Sequence, residues 1–86
     1  MTEYANIESG NFKLYYKDST KQVAYNDIIA DFRGKKCRII DGSHPHKPQS
    51  TGKVYYVPEK APPHTTSNIA YPQVFELEWR KRVWKN

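Results

Sequence analysis

The chain has one cysteine, one methionine and four glycines, and nowhere a long apolar run. A single thiol, Cys37, excludes an internal disulfide and any multi-cysteine zinc site, and it fits a reducing compartment. No stretch approaches the ~18 consecutive apolar residues of a membrane span. The opening Met-Thr-Glu-Tyr-Ala also lacks the basic and apolar regions of a signal peptide. The expectation is a soluble, cytoplasmic chain with no membrane partner. Aliphatic residues are scarce as well: hydrophobic residues make up 37% of the chain, so the 14% that are aromatic must share the core. With 86 residues there is room for one domain and little room for a buried active-site cavity.

Positive charge, in contrast, is plentiful and uneven. Residues 1–31 carry three basic and five acidic groups, net −2, whereas residues 32–86 carry eleven and four, net +7. The excess gathers in Arg33, Lys35, Lys36 and Arg38 and again in Arg80, Lys81, Arg82 and Lys85. Clustered cations raise the local potential and favour a polyanion, because each phosphate neutralised releases condensed counterions. A net charge of +5 is also within the ordinary range that merely keeps a small domain soluble.

Residues 1–10 have no strong period and read as a loose N-terminal arm before a single domain over 11–86. Phe12, Leu14 and Tyr16 alternate with Lys13, Tyr15 and Lys17, the period of a strand with one buried face. Asp18-Ser19-Thr20-Lys21 supplies a turn, and Val23 and Tyr25 resume the alternation, which predicts a hairpin. Asn26 or Asp27 can cap a helix, Ile28, Ile29 and Phe32 have helical spacing, and Gly34 suits a helix end, which predicts one short helix lying on the sheet through Ile28 and Phe32. Lys36 to Ile40 follows as a strand with Cys37 and Ile39 inward, 41–52 as a long loop, and Lys53 to Val57 as another strand. Pro58, Pro62, Pro63 and Pro72 mark a second irregular segment through which no ladder is expected to run. Val74 to Trp84 is the longest strand candidate. Phe12, Tyr16, Phe32, Phe75, Leu77 and Trp79 are the expected core aromatics and aliphatics, with Tyr15, Tyr55 and Trp84 outside.

This order of elements predicts a mostly β fold, a small barrel or bent antiparallel sheet of five strands with one short helix. The run Arg33-Gly34-Lys35-Lys36-Cys37-Arg38-Ile39-Ile40-Asp41-Gly42, followed by Thr51-Gly52-Lys53-Val54-Tyr55-Tyr56-Val57, resembles the KOW-type signature of SH3-like barrels. The family's glycine-rich hairpin loop is replaced here by the longer, proline-containing segment 42–50. The resemblance implies an SH3-like five-stranded barrel acting as a binding platform for nucleic acid or protein, without catalysis. A short, Tyr- and Lys-rich single-domain chain also resembles small bacteriophage-encoded proteins.

Catalytic and metal readings are weaker. His44-Pro45-His46 and His64 bring imidazoles, but no CxxC, HExxH or carboxylate cluster supplies further ligands, so neither a metal nor a cofactor is expected. Cys37 in an alternating strand points inward as an inert thiol, and Glu76 and Glu78 read as a charge ladder with Arg80 and Arg82. What remains is cations interleaved with aromatics, a pattern suited to phosphates and stacked bases. The predicted nucleic-acid surface, DNA or RNA, comprises Arg33, Lys35, Lys36, Arg38, Lys53, Tyr55, Arg80, Lys81, Arg82, Trp84 and Lys85, with the two basic segments sharing one face. The alternative is a protein-binding module, such as a phage effector or inhibitor of a host enzyme or transcription complex, recognising its partner through the loops at 42–52 and 58–72.

Overall fold

A computed structural model describes residues 5–62 and 64–81. Its architecture is mostly β, in two antiparallel sheets. The first contains β1 (Glu8–Ser9), β2 (Phe12–Tyr16) and β7 (Leu77–Lys81) in the order β1-β2-β7. The second contains β3 (Asp27–Ala30), β4 (Lys36–Ser43), β5 (Lys53–Pro58) and β6 (Asn68–Ala70) in chain order. The core lies between them: Leu14 and Leu77 from the first sheet meet Cys37, Ile39 and Val54 from the second, and Ile7, Val23 and Phe75 complete the cluster.

Alternation explains most of this. In β2 the middle residue Leu14 is fully buried, and its neighbours Lys13 and Tyr15 face outward opposite Arg80 and Glu78 of β7. In β4 Cys37 and Ile39 point inward. Ile40 is then an extra residue: Ile39 pairs with Tyr56, but Asp41 pairs with Tyr55, so a bulge interrupts the ladder. The shift returns Gly42, opposite Val54, to the core side. There Trp79 lies so close that a Cβ on Gly42 would fall 2.5 Å from its ring.

Several expectations are corrected. The loose arm does not hold for residues 5–10: Ile7 is buried, β1 pairs with β2, and Tyr25 donates its amide to the Ala5 carbonyl at 2.9 Å. The short helix at 26–34 is β3 instead. Asp27, rather than capping a helix, accepts hydrogen bonds from the Tyr16 hydroxyl at 2.7 Å and the Ala24 amide at 3.0 Å. The β-branched pair Ile28 and Ile29 then pairs with Arg38 and Cys37. Ile28 and Phe32 consequently stand outside, not against the sheet.

The turn at 18–21 does reverse the chain, with Val23 donating to the Leu14 carbonyl, but β2 takes its longer ladder from β7. The segment 58–72 carries β6 after all, because Asn68–Ala70 is free of proline and pairs with Val54–Tyr56 of β5. The long final strand is broken at Glu76, whose left-handed φ of 56° separates a 3-10 turn, Pro72–Phe75, from β7. That turn is the helical piece among the described residues, and seven short strands replace the five expected.

Candidate nucleic-acid interface

The β3–β4 connection is a tight turn fixed by one aspartate. The Asp31 amide donates to the Lys35 carbonyl and the Gly34 amide to the Asp31 carbonyl, both at 2.9 Å. The Asp31 carboxylate oxygen Oδ1 accepts the amides of Arg33 and Lys35, also at 2.9 Å. Gly34 takes a φ of 83°, which glycine adopts without steric cost. Phe32 and Arg33 therefore occupy the central positions of the turn, the farthest from the core. The Phe32 ring is 73% exposed and the Arg33 guanidinium lies 5.2 Å from its centroid. Residues 32–36 are all exposed. Among the described residues, Arg33, Lys35 and Lys36 take part in no salt bridge.

The other predicted contacts sit elsewhere. Arg38 is half-buried on the outer face of the second sheet, donating through Nη2 to the Ala61 carbonyl at 3.2 Å, while its enclosed Nε has no partner. Lys53 is exposed at the start of β5, and Tyr55 is half-buried opposite Asp41. Arg80 is held on the outer face of the first sheet: Glu78 forms its salt bridge, the Ser19 carbonyl accepts from Nη1 at 2.6 Å, and the Tyr15 ring lies 4.6 Å away. Lys81 is exposed at the end of β7. Arg82, Trp84 and Lys85 lie outside the described residues.

The register separates the two basic groups. Lys81 pairs with Phe12, and Phe12 stacks on His44, the residue that follows β4. Lys36 begins β4, so the eight-residue strand stands between them, roughly 23 Å at ~3.3 Å per residue. Arg38 and Arg80 point away from the shared core in opposite directions. The single cationic face expected from the sequence is therefore not what the fold builds from the described residues; Arg33, Lys35 and Lys36 make one group, Lys53 and Lys81 belong to the other end.

Phe32 is the residue that the sequence reading misplaced. The available signal was Asp31-Phe32-Arg33-Gly34, aspartate at the first and glycine at the fourth position of a type I turn. Beside the ring opens a cleft of about 310 Å³, walled by Asp31, Phe32, Lys17, Gln73 and Glu76. A second cleft of the same size shares Lys17, Gln73 and Glu76 and extends toward Trp79.

Two side chains hold their protons more tightly than usual, both chiefly because they are removed from water. Burial, then the hydrogen bond to Asp27 and its charge, push the Tyr16 phenol well above its ordinary range. Burial first, and the Asp31 charge second, push the Cys37 thiol up against the opposing pull of Lys35, so the nucleophilic thiolate is disfavoured. At the far end Ser9 Oγ accepts the His44 amide at 3.2 Å and shares a hydrogen bond of 2.6 Å with its Nδ1. His44 is in turn 4.3 Å from His46 between centroids. Among the described residues no three His, Cys, Asp or Glu side chains are grouped to hold a metal ion, and no helix is long and apolar enough to cross a membrane. In comparison with known proteins, the chain matches no family model, no curated protein and no solved structure.

Proposed function

We propose that this protein is a non-enzymatic, cytoplasmic nucleic-acid-binding β protein whose contact surface is centred on the β3–β4 turn. The observation that carries this reading is a rigid turn of five consecutive exposed residues, three of them cations outside any ion pair among the described residues, around an exposed ring. Phosphates are neutralised by mobile exposed cations more readily than by Arg80, whose guanidinium already serves Glu78 and Ser19. Lys17 on the neighbouring cleft adds a fourth positive group. The KOW-like pattern at 33–57 agrees with such a platform.

Anisotropy titration of a labelled oligonucleotide between 50 and 300 mM salt tests this. About four phosphate contacts give a slope of log affinity against log salt of roughly −3. Changing Arg33, Lys35 and Lys36 together to Ala flattens that slope by about two to three, whereas Arg80→Ala leaves it nearly unchanged. A wild-type protein without any salt-sensitive complex at 50 mM salt refutes the reading.

A second reading, a protein-binding module, draws on the outer face of the four-stranded sheet and its margin, where Ile28 and Ile69 are half or more exposed. Partners captured from lysate that survive nuclease treatment would favour it.

A further inference from the structure

The cleft beside Phe32 has a chemistry that the cations around it do not explain. It is lined by the Phe32 side chain and by Lys17, together with Gln73 and Glu76 from the 3-10 turn and the residue after it. We infer that this cleft receives one unpaired nucleobase, stacked on the Phe32 ring, while Arg33, Lys35 and Lys36 hold the adjoining phosphates of a single strand. The inference rests on the nucleic-acid reading above and adds the form of the ligand and the place of its base.

Three features lead there. First, the ring is presented, not merely left out: four backbone and side-chain hydrogen bonds through Asp31 and Gly34 fix the turn beneath it, so little entropy is lost when a ligand docks. Second, Arg33 covers the ring at 5.2 Å, and the cation's charge strengthens stacking by an electron-rich base on the sandwich. Third, the cleft is polarised in the sense a nucleotide needs. Asp31 and Glu76 repel phosphate from its interior but accept hydrogen bonds from base amino groups. Gln73 accepts from Thr51 Oγ1 at 3.3 Å through its carbonyl oxygen, which leaves its amide protons for a base acceptor. At about 310 Å³ the space is at the bottom of the range of small-molecule clefts, enough for one base. A duplex offers no such base without unstacking it, so the paired form is the poorer ligand.

The test uses a single-stranded 12-mer with 2-aminopurine at one position, and the same oligonucleotide in a duplex, at 50 mM salt. Binding to the single strand is expected to quench the 2-aminopurine emission and to be tighter than binding to the duplex. Phe32→Ala is expected to weaken single-strand binding roughly 5- to 150-fold with the salt slope unchanged, since it removes stacking and no charge. A salt-sensitive complex that shows no quenching, is indifferent to Phe32→Ala, or prefers the duplex overturns the base-stacking site while leaving the nucleic-acid reading in place. Absence of any salt-sensitive complex overturns both. Because Phe32 lies outside the core, an unchanged thermal melt of the variant confirms that lost binding is not lost folding.

Discussion

Phe32 and Trp79 are each followed by an arginine, yet the fold uses the two pairs in opposite ways. At the β3–β4 turn the ring stands in solvent and Arg33 rests on it without a carboxylate partner among the described residues. At the β4–β5 end Trp79 lies over Gly42 and Gly52 and donates its indole N–H to the Lys53 carbonyl at 3.2 Å, and Arg80 is committed to Glu78 and Ser19. Both hairpins share β4. What separates them is the backbone beneath the ring: glycines that leave a slot draw an indole inward, and a turn closed by Asp31 gives a phenyl group no surface to cover.

The comparison can be broken most forcefully at Gly52. Its φ is 79°, and a Cβ there would lie 2.6 Å from Trp79 Cδ1 and 2.7 Å from the Ser43 carbonyl. Gly52→Ala combines backbone strain with overpacking and should cost about 2–5 kcal/mol in a urea melt. A loss below 1 kcal/mol would mean that the slot is not what seats Trp79.

Tyr16 gives a ring fixed by its polar tip, and a smaller effect. Tyr16→Phe removes the hydrogen bond to the Asp27 carboxylate and should destabilise by about 1.5–3 kcal/mol near neutral pH. The sign with pH follows from the raised phenol: the folded protein keeps a proton that the unfolded chain releases near pH 10. The Tyr16 contribution is therefore complete below that pH and is lost as pH rises above it. Wild-type stability measured at pH 9 and 11 should fall more than that of Tyr16→Phe, and equal falls would contradict the assignment.

The smallest effects belong to the exposed turn. Gly34→Ala meets no atom within 4 Å despite a φ of 83°, so only conformational strain of about 1–2 kcal/mol is expected. Phe32→Ala should change stability by no more than about 0.5 kcal/mol. Melts of Gly52→Ala, Gly34→Ala and Phe32→Ala in that descending order would sharpen the contrast between a packed and a presented ring.

Where one face of a strand is buried, the sequence was readable. Leu14, Cys37, Ile39, Val54, Phe75 and Leu77 are buried, and strands at 12–16, 36–40 and 53–57 announce themselves by period or β-branched content. Reading failed where two periods overlap or where partners are distant. Ile28, Ile29 and Phe32 satisfy a helical spacing, but Asp27 is drawn to Tyr16 and the segment pairs with β4, neither of which is visible locally. β1 and β6 are two and three residues long, too short to show a period. The cations at 33–36 were legible as a group, while their separation from Lys81 depends on the register of β2 with β7.

The extra residue at Ile40 has a consequence for how this chain tolerates change. On its N-terminal side odd-numbered positions of β4 look inward, and on its C-terminal side the even-numbered Gly42 does. Removing Ile40 itself would only make the ladder regular, with Gly42 still opposite Val54, whereas removing any other single residue between Cys37 and Gly42 would set the bulge out of step with β5 and turn part of the strand inside out. Insertions are thus better placed in the 44–52 loop, where length can vary without altering the parity of either half.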